Sequence, residues 1–164
     1  MRIGFGYDAH RLKTGRECIL CGVNIPSDFG PDGHSDGDVP VHALIDAMLG
    51  ALALGDIGKH FPDTENKWRD ADSIDMLITV YSAVTERGYS LGNADITIVL
   101  ESPRVSVYIE QMRKNIADAL CTDIDRISVK ATTEEKMGFT GDGTGISSTA
   151  VVLLEKILKK YEFL

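Results

Sequence analysis

The chain has 164 residues and a formal net charge of −8 at pH 7, and its length fits one domain over residues 1–164. Hydrophobic residues make up 43% of it and charged residues 26%, which is typical of a globular protein. The acidic excess argues against a nucleic-acid partner, because such affinity comes largely from Lys and Arg on phosphates. No apolar run approaches the ~20 residues that span a membrane, and from a start at Met1-Arg2-Ile3-Gly4 we expect no targeting segment. We therefore expect no membrane partner and a cytoplasmic location.

The three cysteines, Cys18, Cys21 and Cys121, are an odd number, which favours free thiols in a reducing compartment. Cys18 and Cys21 form a C-x-x-C pair, a pattern found in redox centres and in zinc sites. No second such pair occurs and no helix pattern follows the first. We interpret the two cysteines as small residues of a strand or hairpin.

The N-terminal residues 1–7 favour a short strand, although Gly4 and Gly6 weaken it. The run Gly4-Phe5-Gly6-Tyr7-Asp8-Ala9 matches the dinucleotide-binding pattern G-x-G-x-x-A. Only three residues precede this run, and Gly15 interrupts the helix that should follow it. We therefore reject a dinucleotide site.

The first predicted helix follows a loop over residues 26–37 that is rich in Gly, Pro, Asp and Ser. Asp36 or Asp38 can cap this helix, and Pro40 suits its first turn. Its apolar residues recur at helical spacing and should face the core. They are Val41, Leu44, Ile45, Met48 and Leu52.

The rest of the chain alternates helices with strands. The second helix is expected to begin at Ser73 as its cap, and the third at Pro103. The predicted strands are 17–25 (a strand pair or a bent strand), 94–100, 126–131 and 146–154, and the predicted loops or tail are 55–64, 132–145 and 156–164. The order fits an α/β (α+β) fold with a single mixed β-sheet covered by helices.

Asp8, His10 and His42 are candidate metal ligands. Asp8 and His10 are two residues apart, so in an extended segment they project to the same side. Two histidines and one carboxylate are a common catalytic zinc set that leaves one position open. D-x-H also occurs by chance, and a histidine near a helix start is often a capping or surface residue. Asp46, on the same side of the helix as His42, is predicted to accept the second ring N–H of His42.

The catalytic motifs G-x-S-x-G, the P-loop and H-E-x-x-H are absent, and no serine or cysteine lies in a recognisable nucleophile motif. An enzyme with this sequence would use water or part of its own substrate as the nucleophile. The run Thr132-Thr133-Glu134-Glu135-Lys136 offers hydroxyls and carboxylates, but by itself it is most simply a solvated turn.

Motifs along the whole chain nevertheless match one family in order and spacing. They are Arg2-Ile3-Gly4, Asp8-Ala9-His10, His34-Ser35-Asp36-Gly37-Asp38, His42-Ala43-Leu44, Gly55-Asp56-Ile57-Gly58-Lys59, Phe61-Pro62-Asp63-Thr64, Ala71-Asp72-Ser73, Gly88-Tyr89, Leu91-Gly92-Asn93, Lys130-Ala131-Thr132-Thr133, Glu135-Lys136 and Gly138-Phe139-Thr140-Gly141. This set resembles the 2-C-methyl-D-erythritol 2,4-cyclodiphosphate synthases of the non-mevalonate isoprenoid pathway.

The resemblance implies a reaction in which the substrate attacks itself. The 2-phosphate of 4-diphosphocytidyl-2-C-methyl-D-erythritol 2-phosphate would attack the β-phosphorus, giving the cyclic diphosphate and CMP. The enzyme would be a phosphorus-oxygen lyase and a homotrimer, with its sheets lining a central cavity and its active sites at subunit interfaces.

The resemblance also implies two metal ions, which would bring positive charge to an acidic chain. Zn²⁺ would bind Asp8, His10 and His42, and Mg²⁺ or Mn²⁺ would bridge the α- and β-phosphates with Glu135 as its protein ligand. His34 and Thr133 are implied as the catalytic contacts to the transition state. The helix start near residues 38–40 adds a partial positive charge.

The implied substrate contacts fall into groups. Ser35 would position the 2-phosphate, residues 56–58 would hold the methylerythritol, residues 61–65 would form a wall, and residues 100–106 with 131–133 would hold the cytidine and its phosphates. The full set is Asp8, Ala9, His10, His34, Ser35, Asp56, Ile57, Gly58, Phe61, Pro62, Asp63, Thr64, Glu65, Leu100, Glu101, Ser102, Pro103, Arg104, Val105, Ser106, Ala131, Thr132, Thr133, Glu134, Glu135 and Phe139.

Two positions and one segment depart from the family pattern. Asp142 stands where the family often has Arg, Thr149 stands where it often has an acidic residue, and residues 100–106 differ from the commoner sequence. In the family, the first two positions lie near the central trimer cavity, in which isoprenoid diphosphates have been proposed to bind. Two other functions therefore stay open: a zinc-dependent phosphohydrolase that uses metal-bound water, and a non-catalytic trimer that binds isoprenoid diphosphates. Asp142 argues against the second of these, because an anion site favours Arg.

Overall fold

Seven strands and five helices make up the part of the chain that the computed structural model describes, residues 1–158. The strands are β1 (Arg2–Thr14), β2 (Cys18–Leu20), β3 (Val23–Ile25), β4 (Phe29–Pro31), β5 (Tyr89–Val99), β6 (Ile127–Thr132) and β7 (Gly145–Lys156). The helices are α1 (Val39–Ala51), α2 (Ile57–His60), α3 (Ser73–Glu86), α4 (Ile109–Ala119) and α5 (Gly138–Gly141). Short 3₁₀ turns cover Asn66–Trp68, Ser106–Tyr108 and Ile124–Arg126. Within residues 1–158, no helix has both the length and the apolar character needed to cross a membrane.

The main sheet is mixed, as predicted, and has the strand order β4-β1-β7-β5-β6. β1 and β5 both run antiparallel to the central β7, whereas β6 runs parallel to β5. The expectation of a single sheet is wrong, because β2 and β3 form a separate two-stranded ladder. This ladder is the strand pair predicted for residues 17–25. The buried core lies between the main sheet and its helices.

Gly4 and Gly6 allow β1 to lie directly against α1. A Cβ atom at Gly4 would be 1.8 Å from the Ala47 carbonyl oxygen, and one at Gly6 would be 2.0 Å from that of Ala43. The two glycines thus allow the strand and the helix to pack closely. This role explains the G-x-G pattern without a dinucleotide site. β1 also extends to Thr14, past the predicted end at residue 7, because it pairs with β7 as far as Arg11 and with β4 over its last three residues.

The other face of β1 carries exposed apolar side chains. Ile3 and Phe5 are 74% and 64% exposed, and Tyr7 follows on the same face by strand alternation. Val151 on β7 is the register partner of Phe5 and is also exposed. These four residues form an apolar strip, which is referred to below by that name.

Asp38 caps α1 and ties it to the β2–β3 turn. Its carboxylate accepts hydrogen bonds from the backbone N–H groups of Val41 (3.2 Å), Cys21 (2.9 Å) and Gly22 (2.7 Å). Of the two predicted caps, Asp38 is therefore correct for this helix. The predicted apolar stripe of α1 is buried except for Leu52, which lies beyond the helix end and is partly buried.

Two predicted helix starts are wrong. The cap of α3 is Asp72, whose carboxylate accepts from the Ile74 N–H, and Ser73 is the first residue inside the helix. α4 begins at Ile109, because Pro103 belongs to a loop that precedes a 3₁₀ turn. Both helices turn an apolar side to the core: Leu77, Val80, Val84, Met112, Ile116 and Leu120 are buried, and Ile74, Tyr81 and Ile109 are partly buried against the core.

Short elements occur where only loops were expected. β4 lies inside the predicted loop 26–37, α2 lies within residues 55–64, and α5 lies within residues 132–145. β5 begins at Tyr89, five residues before the predicted strand, since it pairs along β7 as far as Lys156. Of the predicted tail, Lys156 belongs to β7, and residues 159–164 lie outside the described residues.

Candidate metal centre and adjoining cavities

Asp8, His10 and His42 come together as the sequence predicts. Asp8 and His10 lie on β1 and His42 lies in the first turn of α1. The Oδ2 atom of Asp8 is 2.9 Å from Nδ1 of His42 and 3.2 Å from Nδ1 of His10. The three ligand atoms all lie within 4.8 Å of one another, a spacing suited to one shared ion.

The chemistry of this cluster fits a metal ion. Nδ1 of His10 is buried and has no hydrogen-bond partner among the described residues, despite its closeness to Asp8. An unpartnered buried nitrogen is costly, and a cation between the three side chains would use its lone pair. Two imidazoles and one carboxylate form a donor set that suits zinc.

Metal binding requires Asp8 to be deprotonated, and the two neighbouring histidines favour that state. Burial opposes ionisation of Asp8, but the closeness of His10 and the hydrogen bond to His42 hold the pKa of this carboxyl well below its usual range. Burial lowers the pKa of His42, yet its interaction with Asp8 outweighs burial and raises that pKa overall. Asp8 and His42 thus form a tightly coupled pair.

The far side of the His42 ring faces two serines. Nε2 of His42 is 2.9 Å from Oγ of Ser73 and 3.1 Å from Oγ of Ser35. The predicted contact between Asp46 and His42 is wrong, because the Asp46 carboxylate accepts a hydrogen bond from the Ile57 N–H instead. Sequence reasoning missed Ser73 at this site, since a serine after Asp72 gives the pattern of a helix cap.

The loop that carries His34 and Ser35 is held by Arg16. The guanidinium group of Arg16 donates to the carbonyl oxygens of Ser35 (2.9 Å), Gly33 (3.1 Å) and Pro31 (3.4 Å). Ser35 is buried, and the side chain of His34 is exposed at the edge of the site. Nothing in the local sequence pattern distinguishes Arg16 from a surface arginine.

A cavity of about 180 Å³ adjoins the cluster. Phe61 and Trp68 pack edge to face in its wall, with 4.8 Å between ring centroids. The lining residues are Asp8, His10, His34, Ser35, His42, Ile57, Gly58, Phe61, Asp63, Trp68 and Met76. Most were predicted as substrate contacts and His42 as a metal ligand, whereas Trp68 and Met76 were not predicted.

Other predicted contacts lie beside this cavity without lining it. The carboxylate of Asp56 caps α2 by accepting from the Lys59 N–H at 2.9 Å. Pro62, Thr64 and Glu65 lie in the loop that follows α2 and do not line the cavity.

A second cavity of about 290 Å³ is formed by the segments predicted to hold the cytidine. β5 and β6 are parallel neighbours, so their carboxyl ends, at Val99 and Thr132, lie side by side. The residues that line this second cavity are Leu100, Glu101, Pro103, Arg104, Val105, Ser106, Ala131, Thr132 and Thr133. Ser102 is exposed and does not line the cavity. The two cavities share no residue within the described chain.

The segment after β6 contributes no residue to the cavity of about 180 Å³ beside the metal cluster. Oγ1 of Thr133 is 3.5 Å from Oε1 of Glu135, and both residues are exposed. Glu134 accepts a hydrogen bond from the Thr140 hydroxyl. Phe139 lines a third cavity of about 440 Å³ together with Ala9 and His10. Glu135 and Phe139 are thus not brought to the cavity that His34 and Ser35 line.

The model of the YgbB family matches residues 1–155 of the chain. The chain belongs to the YgbB family. Its relatives include a protein of Clostridioides difficile (strain 630) named 2-C-methyl-D-erythritol 2,4-cyclodiphosphate synthase, which is 56% identical over 154 residues, or 94% of this chain and 96% of the relative.

Solved structures agree with this YgbB-family membership. The bifunctional IspDF of Campylobacter jejuni matches with a TM-score of 0.92 and 42% identity; the match covers 95% of this chain but only 42% of that one. A 2C-methyl-D-erythritol-2,4-cyclodiphosphate synthase solved with bound CDP matches with a TM-score of 0.87 and 38% identity, over 94% of this chain and 100% of that one.

Proposed function

We propose that this YgbB-family chain converts 4-diphosphocytidyl-2-C-methyl-D-erythritol 2-phosphate to 2-C-methyl-D-erythritol 2,4-cyclodiphosphate and CMP, as a phosphorus-oxygen lyase of the non-mevalonate pathway. The observation that carries the proposal is the single cavity in which Asp8, His10 and His42 lie beside His34 and Ser35. The names of its relatives support the same reaction.

The reaction needs little from the protein beyond binding and positioning. The attacking 2-phosphate has a second pKa of about 6, so it is mostly dianionic at neutral pH and needs no strong base. Holding it against the β-phosphorus is worth roughly 7–11 kcal/mol in favourable cases. Ser35, fixed beside His42, orients the 2-phosphate, and His34 donates at the edge of the cavity.

Asp8, His10 and His42 would hold Zn²⁺, which when bound polarises a phosphoryl oxygen as a Lewis acid. Glu135 would hold a second ion, Mg²⁺ or Mn²⁺, together with the substrate diphosphate. Both ions counter an acidic chain whose net charge of −8 would otherwise repel the substrate.

The proposed assembly is a homotrimer with active sites between subunits and a central cavity lined by the sheets. The apolar strip supports it, because exposed apolar side chains on a sheet face mark an interaction surface. The separation of the two cavities supports it too. Thr133 and the cytidine-binding segments of one subunit would then meet the metal cluster of the next.

The cytoplasm is the proposed location, and the free cysteines Cys18, Cys21 and Cys121 agree with a reducing compartment. The exposed carboxylate of Asp142 disfavours anion binding at the centre of the trimer. Catalysis is therefore preferred over a role as an isoprenoid-diphosphate binder.

CMP release tests the proposal. The protein, stripped of metal and then given back Zn²⁺ and Mg²⁺, should release CMP from the substrate, and His42→Ala should lower the rate by at least a hundredfold. Asp75→Ala, a change of an exposed acidic residue on α3, is the control and should keep the wild-type rate. An unchanged rate in His42→Ala would refute the metal assignment.

A further inference from the structure

Ser73 is completely buried and joins two groups that are distant in the sequence. Its Oγ lies 2.9 Å from Nε2 of His42 and also hydrogen-bonds Oδ1 of Asp36. The other carboxylate oxygen of Asp36 accepts from the Ser73 backbone N–H at 3.0 Å. Asp36 therefore accepts from both hydrogen-bond donors of Ser73, and the Ser73 hydroxyl oxygen in turn contacts His42.

The direction of these hydrogen bonds follows from the donors available. An ionised carboxylate can only accept, so the single hydrogen of the Ser73 hydroxyl goes to Asp36. The Ser73 oxygen then has only a lone pair to offer His42, and Nε2 of His42 must carry the hydrogen between them. In the neutral ring this leaves the lone pair on Nδ1, the atom 2.9 Å from the Asp8 carboxylate.

We propose that Ser73, held by Asp36, is a positioning residue that keeps the hydrogen of the His42 ring on Nε2 and so presents Nδ1 to the metal ion. The inference rests on the proposed zinc site and adds to it the side chains that prepare its histidine. A hydrogen-bond partner on the other ring nitrogen commonly orients a metal-bound histidine, and its removal lowers the metal affinity by roughly 10–100-fold.

Ser35 has a different role, although it also lies 3.1 Å from Nε2 of His42. Its oxygen accepts from the Gly37 N–H at 3.3 Å, but no carboxylate takes its hydrogen among the described residues. The Ser35 hydroxyl is thus free to donate to a phosphate oxygen. Ser73 serves the metal ligand, and Ser35 serves the substrate.

Zinc affinity, measured by chelator competition, is the first test. Ser73→Ala should weaken zinc binding by roughly 10–100-fold. The substitution leaves α3 capped, because the Ile74 N–H still donates to Asp72 and the Ser73 N–H to Asp36. Ser82→Ala, the same change at an exposed position of the same helix, should bind zinc like the wild type.

Asp36→Asn provides a second variant that keeps the shape of the side chain. Its amide can donate as well as accept, so the Ser73 hydroxyl is no longer obliged to present its oxygen to His42. This variant should also lose zinc affinity, by less than Ser73→Ala. If Ser73→Ala and Asp36→Asn both bound zinc as tightly as the wild type, the inference would be overturned.

Nitrogen-15 NMR of the zinc-loaded protein shows directly which ring nitrogen of His42 carries a hydrogen. The wild type should show a slowly exchanging hydrogen on Nε2 of His42 and no hydrogen on Nδ1, and Ser73→Ala should show faster exchange. A hydrogen on Nδ1 in the wild type would overturn the inference, whatever the affinities are.

The outcomes separate this inference from the function on which it rests. A wild type that binds no zinc refutes the metal assignment and the inference with it. A wild type that binds zinc, with Ser73→Ala equally tight, refutes only the role of Ser73. CMP release by Ser73→Ala should recover at saturating zinc; a persistent loss in the fully loaded variant would mean that Ser73 acts on the substrate, contrary to the inference.

Discussion

The carboxylate of Asp46 accepts a hydrogen bond from the backbone N–H of Ile57, with 2.7 Å between Oδ1 and N. The bond joins α1 to the start of α2, where Ile57 and Gly58 line the cavity of about 180 Å³ beside the metal cluster. Asp46 lies four residues after His42 but does not touch its ring. It therefore supports the predicted methylerythritol contacts and not the metal.

Asp46→Ala should raise the KM for the substrate by roughly tenfold, because a hydrogen bond to a charged acceptor is worth about 1.5–3 kcal/mol. Zinc content should stay at the wild-type level. Steady-state kinetics and metal analysis of the same sample check both statements. Loss of zinc with an unchanged KM would restore a role for Asp46 at His42.

Arg16→Lys should lower kcat by roughly tenfold, although the charge is kept. One ammonium group cannot bridge the three carbonyl oxygens that the guanidinium group holds, so His34 and Ser35 lose their fixed loop. Arg69→Lys, at an exposed position, is the matched control. Equal kcat values in the two variants would mean that the loop keeps its shape without Arg16.

Gly6→Ala should lower the free energy of unfolding by at least ~2 kcal/mol, because its methyl group would overlap the Ala43 carbonyl. Gly50→Ala is the control, since Gly50 is an exposed position of α1 and the nearest atom to a new Cβ is 3.8 Å away. That change should be neutral or stabilising by up to ~1 kcal/mol. Urea denaturation measures both, and equal stabilities would refute the close packing of β1 on α1.

Only Cys121 should react quickly with a thiol reagent in the folded protein at mildly alkaline pH. Burial, assisted by the charge of Asp38, raises the pKa of Cys18 to about 11 and that of Cys21 well above its usual value, so neither forms the reactive thiolate. Cys121 is exposed. Mass spectrometry should find one modified thiol per chain, none in Cys121→Ser and three after denaturation. Rapid modification of Cys18 or Cys21 would reopen the redox interpretation of the C-x-x-C pair.

The parts of the site that follow from local spacing were predictable. Asp8 and His10 share a side of β1 because strands alternate, and His42 lies in the first turn of a helix whose apolar stripe is regular. The supporting side chains, Ser73 and Arg16, could not be predicted, because their partners are distant in the chain. His42 and Ser73 are 31 residues apart, and Arg16 reaches carbonyl groups 15 to 19 residues away.

The same limit applies to the fold. Gly4 and Gly6 weaken a strand by propensity, but β1 forms by pairing with β7, and the Ala43 and Ala47 carbonyls explain why these two positions require glycine. Ser73 has the pattern of a cap, but Asp72 takes that place because its carboxylate reaches the Ile74 N–H. Tertiary contacts thus decide the first case, and in the second the Ser73 hydroxyl is engaged by Asp36 and His42 instead of capping the helix.

The origin of the oxygen atom in the new bond to the β-phosphorus tests the central claim most directly. The wild-type protein, loaded with Zn²⁺ and Mg²⁺, would convert the substrate in water enriched in oxygen-18, and the product would be examined by phosphorus NMR and mass spectrometry. If the substrate's own 2-phosphate attacks, the product is a cyclic diphosphate without the heavy isotope, and CMP also carries none. A linear bisphosphate with one oxygen-18 atom per turnover would mean that metal-bound water attacks, and it would contradict the cyclising function.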